Sequence, residues 1–153
     1  MRVCGGRTQA PATAPAPAPG GQVPTSEINR PEVVAEVRAA FDAYERALVR
    51  NDRERLDAWF WADELTVRYG VAERLYGADA ITAWRRTYAG VPPGRRLGPT
   101  VIATFGRDAA CVSTEFTGDD SNVVGRQSQT WMRLDGRWQI VAAHVSHEDS
   151  GTS

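Results

Sequence analysis

The 153-residue sequence is short of the features that most simply assign a function. It has two cysteines, Cys4 and Cys111. That is too few for a disulfide framework, so free thiols in a reducing compartment are the expectation. No apolar run approaches the roughly 20 residues needed to span a bilayer. The opening Met1-Arg2-Val3-Cys4-Gly5-Gly6 leads into Pro and Ala without the apolar core of a signal peptide. The expected location is therefore the cytoplasm, in solution. A net charge of −1 and a pI near 6.1 supply no basic field for nucleic acid or an anionic membrane, and neither is an expected partner. There is no glycine-rich phosphate loop and no Gly-x-Ser-x-Gly elbow. His144 and His147 are three apart on an expected strand and so point to opposite faces, which argues against a metal pair. No metal and no cofactor is expected.

What is present divides the chain unevenly. Residues 1–27 read as a disordered tail, since 5–27 alternate Ala, Pro, Thr and Gly with little to bury. Residues 28–147 are enough for one hydrophobic core, and 148–153 form a short polar C-terminal tail. Asn29 is placed to cap a helix with Pro31 in its first turn, and Val33, Val37, Phe41, Tyr44 and Leu48 recur at helical spacing. Asp52 can cap a second short helix carrying Leu56, Trp59 and Phe60. Strands are expected at Leu65–Tyr69 and through Leu75 and Tyr76. Asp79 can cap a third helix with Ile81, Trp84, Arg85 and Tyr88. Four strands follow: Thr100–Phe105, Ala109–Thr117, Val123–Leu134 and Trp138–Ser146, with tight turns at Arg107-Asp108 and Asp135-Gly136. Helices followed by a meander of antiparallel strands make an α+β fold.

The last hairpin allows a geometric step. A two-residue turn at Asp135-Gly136 pairs Leu134 with Arg137 and, propagated strictly, sets Trp131 opposite Ile140, Gln129 opposite Ala142 and Gln127 opposite His144. On that reading Trp131, Gln129, Gln127 and His144 share one face, apolar at one end and polar at the other. Such a face suits a small-molecule pocket, although the same polar groups can instead satisfy one another in a core. Arg85 falls within the apolar stripe of its helix, so it either snorkels to water or offers a buried fork to a carboxylate. Arg68 is equally open, flanking the first turn with Glu73.

Beyond these arguments the sequence resembles a known family. The words Phe60-Trp61, Arg68-Tyr69-Gly70, Glu73-x-x-Tyr76-Gly77, Gly125-Arg126-Gln127-Ser128-Gln129-Thr130-Trp131 and Trp138-Gln139-Ile140-Val141-Ala142-Ala143-His144-Val145-Ser146 resemble the AtzH-like group of the nuclear transport factor 2-like superfamily. That group includes proteins called oxalurate catabolism protein HpxZ. The resemblance implies a cone-shaped fold, three helices on a strongly curved antiparallel sheet, and a homodimer formed through sheet faces. It also implies a place in nitrogen-compound catabolism, beside amidases acting on ureido and amide compounds. Arg68, Tyr69, Tyr76, Arg85, Gln127, Gln129 and His144 match typical positions of the group; Arg86-Thr87-Tyr88 departs from it.

The function expected on these grounds is a pocket for a small anionic ureido or amide metabolite. Arg85 and Arg68 would hold a carboxylate, Gln127 and Gln129 amides, and Tyr69, Tyr76 and Trp131 aromatic walls. His144 would be the candidate general acid or base of a cofactor-free hydrolysis, decarboxylation or isomerisation. A non-catalytic partner of an amidase is the alternative, and a cyclase or isomerase of hydrophobic compounds a third reading.

Overall fold

A computed structural model describes residues 21–119 and 122–148. The first 20 residues of the expected N-terminal tail, and 149–153 of the expected C-terminal one, lie outside the described residues. Regular structure begins before Asn29, with a 3-10 turn at Thr25–Glu27. Two helices follow, α1 (Pro31–Val49) and α2 (Arg53–Trp59), then strands β1 (Val67–Tyr69) and β2 (Arg74–Tyr76). Next come α3 (Ala78–Thr87) and the long strands β3 (Arg96–Phe105), β4 (Ala109–Thr117), β5 (Gly125–Leu134) and β6 (Arg137–His147).

The helices form where the sequence places them, but two of the three begin differently. Asn29 does not cap α1. It adopts a left-handed conformation (φ 55°) that asparagine tolerates well, its Oδ1 accepts from the Thr104 N–H at 2.8 Å, and its own N–H donates to Thr104 O at 3.0 Å. The side chain thus ties the chain to β3, and Arg30 takes the cap position without capping the helix through its side chain. For α3 the cap is Gly77, whose φ of 85° suits glycine and whose N–H donates to Thr66 O at 2.8 Å. Asp79 sits one step inside, in the first turn, where the helix dipole favours an acid. Asp52 caps α2 as expected, accepting from the Arg55 N–H at 3.2 Å.

The strands form one six-stranded sheet in the order β2-β1-β6-β5-β4-β3. It is mixed, whereas a purely antiparallel sheet was expected: β1 runs parallel to β6, with Val67 beside Ala142 and Tyr69 beside His144. The cause is the exit from α2. Phe60 bridges Ile140 in parallel and the Trp61 N–H donates to Ile140 O at 3.0 Å, so the chain enters β1 already running along β6.

Turn chemistry sets the registers. Asp135 (φ 49°) and Gly136 (φ 75°) make the expected two-residue hairpin. The β3–β4 turn is one residue longer than expected, because Phe105 pairs with Ala109 and Gly106 takes a positive φ. The core lies between the helices and one sheet face. Val33, Val37, Phe41, Leu56, Phe60 and Ile81 pack against Val112, Trp131 and Ile140. Trp131 is fully enclosed, edge-on to Tyr44 and Trp59 at ring-centroid distances of 6.3 and 5.7 Å.

One departure in the last hairpin decides which side chains reach that face. The pairing runs as expected from Leu134–Arg137 to Trp131–Ile140, then slips: Thr130 pairs with Ala142, Gln129 with Ala143, Ser128 with His144 and Gln127 with Val145. Val141 is the extra residue of a β-bulge. Since side chains alternate, every β6 residue beyond it changes face. The expected pairing of Gln127 with His144 is corrected accordingly. Ala143, Val145 and His147 turn inward and His144 outward.

Candidate functional site

A cavity of about 440 Å³ opens between α1, the β1–β2 turn, α3, the segment leading into β3, and the inner ends of β4, β5 and β6. Its walls are mostly apolar: Leu48 and Tyr44 from α1, Trp84 from α3 and Tyr88 just after it, Val91, Phe116 and Val145. Three arginines also reach it, Arg68, Arg85 and Arg95. Each is held by a carboxylate of the protein itself.

Arg85 is the deepest, at 2% exposure. Its Nε donates to Asp57 Oδ1 at 2.7 Å, and its guanidinium stands 5.3 Å from the Phe60 ring centroid. Its Nη2 is buried without a hydrogen-bond partner among the described residues. An unmet buried donor costs about 1–3 kcal/mol, and more when charged. Of the two roles left open for this side chain, snorkelling to water is excluded. Arg68 donates from Nη1 to Glu73 Oε1 at 2.5 Å and lies 4.1 Å over the Trp84 ring, which stacks on Tyr88 at 4.6 Å. The Glu73 carboxylate rests against Gly70, where an added Cβ would lie 1.8 Å from Oε1. A larger residue there would require the carboxylate to shift.

Arg95 belongs to a buried network. Its Nε and Nη2 donate to the two oxygens of Glu45 at 2.9 and 3.2 Å, and Nη2 also donates to Gln127 Oε1 at 3.1 Å. Gln127 Nε2 closes the triangle on Glu45 Oε1 at 2.9 Å. The guanidinium stacks over Phe116 at 4.0 Å. Tyr44 lies among these charges with no hydrogen bond to its hydroxyl from the described residues. Burial, and then the neighbouring Glu45 carboxylate, push its pKa above the usual tyrosine value, against the opposing pull of Arg85, Arg68 and Arg95.

Of the residues singled out in the sequence, the fold brings Arg68, Arg85 and Gln127 to the cavity. Gln127 is committed there to Glu45 and Arg95. Gln129 and Trp131 lie in the core instead: Gln129 Oε1 accepts from Trp131 Nε1 at 3.1 Å, and Gln129 Nε2 has no partner among the described residues. Tyr69, Tyr76 and His144 gather on the other sheet face, with the two hydroxyls 3.3 Å apart and the Tyr69 ring edge-on to His144 at 5.8 Å. The bulge at Val141 is the physical reason for the imidazole's absence from the cavity. The imidazole that does line it is His147, set edge-on to Phe116 at 6.2 Å. Glu45, Arg95 and Tyr44 were not anticipated as site residues. Glu45 carried a signal, since it stands four residues after Phe41 in the apolar stripe of α1. Arg95 stands in an irregular segment where no periodicity applies. Among the described residues, no group of three His, Cys, Asp or Glu side chains is placed to hold a metal ion, and no helix is long and apolar enough to cross a membrane.

This architecture and sequence have counterparts. A cystatin-like fold protein of Burkholderia xenovorans LB400 is 55% identical, over 79% of this chain and 95% of that one, with a TM-score of 0.78. A protein of unknown function from the DUF3225 family, from Pectobacterium atrosepticum SCRI1043, is 47% identical over 83% and 99%, with a TM-score of 0.80. At 19% identity, over 76% and 87%, an NTF2-like protein of Pseudomonas putida KT2440 shares the fold (TM-score 0.66). No curated protein matches the chain. The AtzH-like family model matches residues 26–151, which include every strand and helix around the cavity. With its nuclear transport factor 2-like fold, the chain belongs to the AtzH-like family.

Proposed function

We propose that the chain binds a small organic carboxylate bearing an amide or ureido group, of the oxalurate or allophanate kind, in the cavity of Arg68, Arg85 and Arg95. The observation that carries the reading is the Arg85 guanidinium, enclosed in an apolar wall with Nη2 unpartnered. A ligand carboxylate there gains a charge-assisted bond and removes the cost of the orphaned donor. The nitrogen-compound class of the ligand is what the resemblance to the AtzH-like group implies. The apolar walls support a compact organic body rather than a free inorganic anion.

The residue expected to act as general acid or base is not the imidazole at the cavity. His144 faces away from the cavity, His147 lines it instead, and Gln127 is tied to its own neighbours. A protein that presents or senses the metabolite for an amidase is consistent with this arrangement.

Thermal shifts with oxalurate, allophanate, biuret, a simple dicarboxylate and a steroid test the reading. A ligand at 100 times its dissociation constant adds about 2.7 kcal/mol, which raises the melting temperature of a domain of this size by about 8–14 °C. The expected result is a shift with the ureido acids, none with the steroid, and loss of that shift in Arg85→Gln. Equal shifts in both proteins would remove Arg85 as the anchor, and no shift with any carboxylate would refute the reading.

A further inference from the structure

A second concavity shares no lining residue with the cavity above. It is a groove of about 590 Å³ between α1, α2 and the β5–β6 turn. Its floor is alanine: Ala39, Ala43 and Ala47 recur every four residues along α1 and so form one row, with Ala58 of α2 beside them. Trp59 and Trp138 stand at its sides. Around it are Arg46, Arg50, Arg55 and Arg137 against a single acid, Asp52, a formal charge of +3 on a chain whose net charge is −1.

These arginines are not spent on the fold in the way those of the cavity are. Arg55 meets Asp52 at 3.3 Å while remaining 73% exposed, and Arg137 makes one long bond, 3.4 Å, to Ala58 O. The Arg46 and Arg50 guanidinium groups meet no acid among the described residues, although they stand four apart on one helix face. Like charges at that spacing repel each other, a cost that the C-terminal dipole of α1 offsets. A row of small side chains lets another helix approach closely, because no bulky ridge holds it off. Tryptophan and arginine are also the residue types that dominate binding energy at protein interfaces.

We propose that this groove docks an acidic amphipathic helix of a partner protein, with an apolar anchor seated on the alanine floor between the two tryptophans and Glu or Asp side chains facing Arg46, Arg50 and Arg137. A second copy of this chain does not fit as the occupant. A two-fold contact through the groove would set the arginine rim of one protomer against that of the other. An extended phosphate backbone or a lipid surface would use the rim charges but leave the alanine floor empty.

The test uses the full chain and a fluorescein-labelled synthetic helix with one leucine face flanked by glutamates, read by anisotropy. Its lysine-flanked counterpart, a single-stranded oligonucleotide and phosphatidylserine vesicles serve as competing probes. Two variants act on different parts of the groove: Arg46→Glu with Arg50→Glu reverses the rim charge, and Ala43→Trp fills the floor. Circular dichroism confirms that each is folded. The expected result is saturable micromolar binding of the acidic helix alone, weakened on the order of tenfold by either variant and by raised salt. Absence of saturable binding, or binding indifferent to both variants, would overturn the proposal. So would tighter, arginine-dependent binding of the oligonucleotide or the vesicles.

Discussion

Replacing Glu45 by alanine should be among the most damaging single changes in the chain. The carboxylate accepts three hydrogen bonds, two from Arg95 and one from Gln127, where Glu45 and Gln127 are 8% and 3% exposed. The substitution leaves a guanidinium buried against Phe116 with only an amide oxygen for company, and it frees a buried Gln127 N–H. Breaking a buried ion pair from one side costs about 3–5 kcal/mol. For a domain between the 100- and 150-residue classes that lowers the melting temperature by roughly 10–25 °C. Replacing both charged partners, as Glu45→Leu with Arg95→Leu, removes the uncompensated charge and leaves mainly the cost of an orphaned Gln127, about 1–3 kcal/mol. The double variant should therefore be more stable than Glu45→Ala. Equilibrium urea unfolding followed by circular dichroism measures these variants, and with the singles Glu45→Leu and Arg95→Leu the cycle isolates the coupling between the two sites. A loss below about 1 kcal/mol for Glu45→Ala, or a double variant as unstable as the sum of the singles, would refute the assignment of this network as a buried, mutually compensating one.

Two further outcomes follow from local chemistry. The raised Tyr44 pKa means that the folded state keeps this phenol protonated where the unfolded chain ionises it. Its contribution is therefore complete below about pH 10 and is lost as pH rises beyond it; Tyr44→Phe should flatten the alkaline limb of a stability-against-pH curve. Asn29→Ala removes the acceptor of the Thr104 N–H, so a loss of about 1–3 kcal/mol is expected, with faster hydrogen exchange at that amide; exchange unchanged from wild type would contradict the tie.

The sequence disclosed the elements more fully than the site. Periodicity located the three helices, since Val33, Val37, Phe41, Tyr44 and Leu48 all bury the face they predict. Asp135-Gly136 disclosed its turn because only a few residues tolerate two positive φ angles in succession. Alternation, by contrast, carries a face assignment only as far as the first irregularity. Val141 has no sequence mark distinguishing it from its neighbours, yet it alone separates an inward His144 from an outward one. The parallel pairing of β1 with β6 was hidden for a related reason, since it depends on where α2 delivers the chain rather than on any residue of β1. Arg95 was hidden because its partners are 50 and 32 residues away in the chain, on α1 and β5.

The sheet order bears on how the chain matures on a ribosome. The β1–β2 hairpin has only one further neighbour in the sheet, β6, and Val67 waits about 75 residues for Ala142. At 5–20 residues per second, that interval is about 4–15 s of synthesis. During it, α1 and α2 have emerged with their apolar faces but without the strands that cover them, and the hairpin's inner edge stands unpaired. Slower synthesis lengthens that exposure, which ends when β6 inserts between β1 and β5.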